Sequence, residues 1–130
     1  MRQVSPVVTI LNAKGATGTG VKMDVQDFKY LVLSFATASS GNLTVKFQGS
    51  ISETAPDFSS AQSSTNVWDY IDVTDLQSFA SVDGDTGVAV TGTDDVRQFQ
   101  ASTNGLKWLC ATVTARSAGN VTVTARGFSN

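Results

Sequence analysis

Apolar side chains recur at every second position along most of this chain. Val21, Met23 and Val25 share one parity, and Leu43, Val45 and Phe47 do the same further on. A period of two puts alternate residues on opposite faces of an extended strand. No segment sustains the i, i+3, i+4 spacing of an amphipathic helix. β-Branched and aromatic residues fill the matching stretches 7–11, 30–38, 67–73, 87–91, 96–101, 107–116 and 120–128. With 21–25 and 42–50, about nine strands follow one another without intervening helices. Such a succession pairs antiparallel, and short strands with frequent turn signals build sandwiches or barrels. The expectation is an all-β protein: one domain over residues 1–130, an antiparallel two-sheet β-sandwich of jelly-roll type. Two short segments, 25–28 and 75–79, suit a helical turn, the second with Thr74 as its N-cap.

The chain also echoes itself. The run from Lys29 through Val45 matches the run from Lys107 through Val123, 78 positions on. Lysine, leucine, serine, glycine, asparagine, threonine and valine recur in register. Tyr30 and Trp108 take the same place, and so do Gly49 and Gly127. Each copy reads as a strand, a Ser-x-Gly-Asn turn and a second strand, since Gly-Asn supplies positive φ where a hairpin reverses. Convergent hairpin chemistry and a pseudo-twofold between equivalent hairpins both fit. Either way Leu31, Leu33, Phe35, Val45, Phe47, Leu109, Ala111, Val113, Val121 and Val123 should line the core.

Residues 52–66 are too small and polar to build a core, and a loop of that length in a compact domain is usually functional or disordered. Phe58 is its one large apolar side chain, so the loop is expected to be a contact element with Phe58 as its anchor. Residues 1–6 read as an N-terminal arm. Chain ends normally fray, so both termini are expected to be held by neighbouring chains. Residues 81–85 form a second small, polar stretch.

Composition removes whole classes of chemistry. The chain has no histidine, which rules out Ser/His/Asp and Cys/His nucleophilic pairs and most zinc or copper sites. The glycine-rich run 15–20 leads into a strand and not a helix, so it lacks the context of a phosphate cradle. Cys110, the single cysteine, lies in an apolar run and reads as a buried, inert thiol. Only 15% of residues are charged, the net charge is −2, and Lys14, Arg97, Arg116 and Arg126 are scattered. No basic stripe for nucleic acid follows from that. No apolar run reaches the length of a signal-peptide core or of a membrane span, so a soluble protein made in a cytoplasm is expected. The sequons at Asn42 and Asn120 sit at strand starts and read as β-sequence accidents.

Carboxylates cluster at Asp83/Asp85 and at Asp94/Asp95, where calcium and simple turn capping both fit. Asp69, Asp72 and Asp75 lie near Trp68 and Tyr70, and a paired-carboxylate mechanism there would need a cleft with one raised pKa. No catalytic residue, metal ligand or cofactor is assigned. Trp68 and Tyr70 share a strand face, suited to core packing, to stacking on a sugar, or to a protein interface.

The phrase from Asn104 to Ala115, followed by Ser117–Thr124, resembles small structural proteins encoded among tailed-phage head and tail genes. So does the segment 42–50 taken with Val67–Val73. The resemblance covers about residues 28–128 and implies a β-sandwich virion component with no catalytic residues to carry over. A capsid decoration or cement protein fits best: a small homo-oligomer, a trimer before other states, bound to the major capsid protein or to other virion proteins and located in the virion. Nucleic acid and membrane are not expected as partners. The expected interface residues are Val7, Val8, Ile10, Phe58, Trp68, Tyr70 and Phe128, with an uncharged terminal strand offering an unpaired edge. The competing reading is a carbohydrate- or receptor-binding adhesin of a phage tail or fibre, with Trp68, Tyr70 and Tyr30 as stacking residues.

Overall fold

The computed structural model describes residues 2–92 and 96–130, with every side chain in those ranges except that of Ser39. Ten strands account for the regular structure: β1 (Val8–Lys14), β2 (Gly18–Thr19), β3 (Met23–Asp24), β4 (Tyr30–Ser50), β5 (Asp69–Ile71), β6 (Val73–Asp75), β7 (Ser81–Val82), β8 (Val88–Gly92), β9 (Val96–Ser102) and β10 (Trp108–Phe128). All pairings are antiparallel. Among the described residues there is no helix; 25–28 and 75–79 are tight turns, closed by Phe28 N to Val25 O and Phe79 N to Asp75 O. The all-β antiparallel expectation therefore holds. The two-sheet jelly-roll does not describe the hydrogen bonding. One continuous sheet runs β1-β10-β4-β9-β6-β7, with β2 and β3 also on β10 and β5 and β8 also on β4. It curls into a half-barrel around its main core.

The curl follows from two strands of 21 residues each. β4 and β10 pair along their whole length, from Trp108 opposite Ser50 to Phe128 opposite Tyr30. The two echoed segments are thus not hairpins. Each Ser-x-Gly-Asn phrase lies mid-strand, where the ladder breaks register between Val113 and Asn120 without reversing. Ser40 (φ 52°) and Gly119 (φ 72°) take up the irregularity. A Cβ on Gly119 would lie 2.5 Å from Gly41 Cα. The glycines serve close approach of two backbones where the sequence suggested a turn.

The hairpins of the pseudo-twofold reading are absent, but the strand registers repeat with the 78-position shift and carry the equivalence beyond the echo. β9 pairs with the first half of β4 (Tyr30 opposite Ser102), and β3 pairs with the first half of β10 (Trp108 opposite Asp24). Outside the strands, Thr103 N to Lys29 O (2.8 Å) answers Val25 N to Lys107 O (2.9 Å), and Lys29 N to Phe128 O answers Lys107 N to Ser50 O. Phe28 packs where Gly127 has no side chain, and Leu106 packs over Gly49 in the same way. β8 and β1 flank the second halves of β4 and β10. The described residues of 8–50 and 86–128 therefore form equivalent units, and 51–85 joins them without a counterpart.

The ten echoed apolar positions are all buried, most of them fully. They meet Ile10, Leu11, Val25, Val88, Val90 and Phe99 on the concave side. Phe35 packs against Phe47 and Phe99, at ring centroid distances of 5.7 and 5.0 Å. Each such ring contributes about 1.5–3 kcal/mol by leaving water. The termini are held to each other within the chain: Ser5 N bonds to Gly127 O, Ser129 N to Gln3 O, and Val4 bridges Phe128.

The crossing yields a test. Gly105→Ala, at φ 94° in open space, should cost only the left-handed strain of about 1–2 kcal/mol. Gly119→Ala adds a backbone collision to that strain and should cost clearly more, as read from urea denaturation midpoints.

Candidate functional site

Residues of even number on β4 and β10 point away from the core, and at one end of the sheet they are nonetheless buried. Gln48, Ser50, Cys110 and Thr112 are all covered there. The cover is the joining segment 51–85. Its loop 52–66 lies across the convex face and seats Phe58 beside Trp68 and Cys110, with Tyr70 and Trp108 at the margin. Phe58 and Trp68 lie 6.4 Å apart, and Trp68 meets Tyr70 edge-on at 5.0 Å.

Polar residues tie the loop into one piece. Asp57 accepts from Ser59 and Ser60, which holds its carboxyl below the usual range. Asn66 Nδ2 donates to Asp57 O and Ala61 O. Two bonds fasten the loop to the sheet, Gln48 Nε2 to Phe58 O (2.8 Å) and Trp108 Nε1 to Ser52 O (3.0 Å); Trp68 Nε1 to Ser60 O (3.1 Å) and Gln62 Nε2 to Trp68 O (2.8 Å) tie it to the residue before β5, and Ser50 Oγ to Val67 O (2.6 Å) holds the chain that follows it.

The cover fits imperfectly. A cavity of about 510 Å³ lies between 19–22, 55–59 and Cys110. A second, of about 360 Å³, lies between β2, the loop and β5 over Gln48 and Thr112. Phe58 borders both.

The expected interface residues divide. Phe58 and Trp68 are only 6% and 8% exposed, so they are internal packing and not free contacts. The sequence could not show this, because what covers Phe58 lies far along the chain. Ile10 is fully buried in the main core. Val8 and Tyr70 are half-buried, and Tyr70 carries Lys46 Nζ 4.8 Å from its ring centre. Phe128 stacks on Tyr30 at 5.3 Å beneath Arg2. Val7 alone stands clear, 63% exposed. Sequence reasoning missed Gln48 and Thr112 as buried outer-face residues; their polarity signalled a solvated face.

The acidic clusters are partnered. Asp83 caps the N–H groups of Asp85 and Thr86, Asp72 caps Gly84, and Asp75 pairs with Arg97 at 2.9 Å. Among the described residues no group of His, Cys, Asp and Glu has the arrangement of a metal site. Asp94 and Asp95 lie outside the described residues.

Two solved proteins share this fold. The SPBc2 prophage-derived protein YomS superposes with a TM-score of 0.71 at 16% identity, over 99% of this chain and 96% of that one. The PBSX exported protein XepA gives 0.72 at 12% identity, over 98% of this chain but 38% of that one, so the fold here corresponds to one part of XepA. Both are phage-derived. No protein-family model matches the sequence, and no curated protein matches it.

Burial pushes the Cys110 thiol up to about 11 from an ordinary value near 9. Its neutral form is favoured by folding, so its contribution to stability is complete below pH 9 and lost as pH rises toward 11. A thiol reagent at pH 8 should leave native protein unlabelled and modify one equivalent after unfolding. Phe58→Ala should cost about 3 kcal/mol, the low end for a buried ring because the flanking cavities already leave it partly uncontacted. Urea unfolding checks that value.

Proposed function

We propose that this chain is a non-enzymatic phage structural protein that binds the assembled capsid shell as a decoration or cement protein. The observation that carries the reading is the outer edge of β1, the end of the strand order, which the described residues cover only through Val21. Residues 3–13 contain no charge, and Val7 is 63% exposed. Val21, 62% exposed, sits beside it with its N–H on Ile10 O. Edge strands are normally blunted by charge. An apolar edge charged only at its last residue, Lys14, favours association with another protein chain. The phage origin of both proteins that share the fold supports the setting.

On this reading the chain self-associates, a trimer before other states, and contacts the major capsid protein or a neighbouring virion protein. Low charge makes apolar burial and strand pairing the source of affinity, so binding should survive high salt. A ligand that binds only the assembled particle stabilises it by mass action at every site. The flat aromatic platform of an adhesin finds no support here, since Trp68 is buried with its N–H bonded to Ser60.

The test is to add the protein to particles lacking it and measure the temperature of genome release. A rise at full occupancy supports the cement role, and an unchanged temperature overturns it. Val7→Lys with Val21→Lys should leave the unfolding temperature nearly unchanged while shifting sedimentation toward monomer and weakening particle binding by about tenfold or more, the factor that follows from about 1.4 kcal/mol of lost burial.

A further inference from the structure

The joining segment leaves a cavity with the chemistry of a ligand pocket. Its volume, about 360 Å³, lies at the lower end of small-molecule sites. Phe58, Trp68 and Tyr70 give it apolar walls, and Gln48, Gln62 and Thr112 give it polar groups. No lining residue carries a charge, so an ionised ligand would lose its hydration without gaining a counter-charge.

Gln48 is the decisive residue. It is 1% exposed, its Nε2 is committed to Phe58 O, and its Oε1 has no hydrogen-bond partner. Buried acceptors are almost always satisfied, and an exception needs an explanation. Turning the amide over does not help, because an oxygen would then face the Phe58 carbonyl. Beside it, no hydrogen bond among the described residues engages the Thr112 or the Tyr70 hydroxyl, and both reach solvent. An unpaired acceptor, two free hydroxyls and aromatic walls suit a neutral molecule with hydroxyl donors and an apolar C–H face.

We propose that this pocket between the 52–66 loop, β5 and the outer face of β4 and β10 binds a neutral sugar of single-pyranose size, with Gln48 Oε1 accepting from a sugar hydroxyl. The site differs from a stacking platform: the sugar sits in a recess lined by Trp68, Tyr70 and the loop. It goes beyond the shell-binding reading and uses residues remote from the β1 edge, so either can fail without the other.

The experiment is an amide and indole nitrogen–proton NMR titration of the full chain with glucose, N-acetylglucosamine and rhamnose. Saturable shifts at Trp68 Nε1–H, Tyr70 and Thr112 are expected, with a Kd in about the millimolar range. Thr112→Val, which removes the hydroxyl at constant shape, and Gln48→Met should each weaken binding about tenfold while both proteins keep the wild-type spectrum elsewhere. No saturable shift with any of the three sugars would mean the pocket holds water only and would overturn the proposal. Shifts confined to other surfaces, or binding undiminished in Thr112→Val, would overturn it as well. Should Gln48→Met fail to fold, the wild-type and Thr112→Val titrations still decide.

Discussion

The antiparallel ladder between β4 and β10 governs this fold. Each strand is 21 residues long, and each carries a buried residue at nearly every odd position on both sides of the central irregularity. Two flat strands of that length would leave one face of the sheet in water. By bending at 38–42 and 114–120, the pair folds both halves around one core, and every other strand adds to an edge that this pair provides. The bend needs two backbones in contact, which explains glycine at 41 and 119. A side chain at Gly119 would enter the space of the neighbouring strand.

The pairing is reciprocal. β9 leads into β10 but bonds to β4, and the segment before β4 bonds to β10. Neither unit completes its own hydrogen bonds, so neither is expected to persist alone. The exchange also explains the paired turns. Phe28 and Leu106 each leave their own unit to cover a glycine of the other, which fastens the long ladder at both ends. Contacts of this kind join residues far apart in sequence, and their loop-closure entropy must be met before the core can form.

Much of this was legible in the residues. Period-two patterning gave the strands and the core positions, and the echo from Lys29 and Lys107 gave the twofold. What misled was the Ser-x-Gly-Asn phrase. Gly-Asn favours positive φ, and that preference serves a hairpin turn or a close strand crossing equally well; only the partner strand distinguishes them. The site was less legible. A serine- and threonine-rich loop with one phenylalanine looks the same whether Phe58 points outward or down. Its destination is set by Trp68 and Cys110, one beyond the loop and one on β10. The acidic residues misled less, because capping of local N–H groups was already the simpler use for Asp83 and Asp72.

Symmetry locates the site independently of its chemistry. The twofold carries Gln48, Cys110 and Thr112 onto Arg126, Val32 and Ser34, which lie on the same convex face at the opposite end of the sheet. There, among the described residues, the short N-terminal arm reaches Phe128 and Gly127, and those three residues are exposed or half-exposed. One face of one fold thus exists in two states, nearly bare at one end and roofed at the other. The roof answers the residues of its own half, where Phe58 and Trp68 bury Cys110. Burying an amide and leaving its oxygen unpaired costs stability, on the order of 1–3 kcal/mol for such a group. A bare half would avoid that cost, which the roofed half offsets with the packing of Phe58, Trp68 and Cys110.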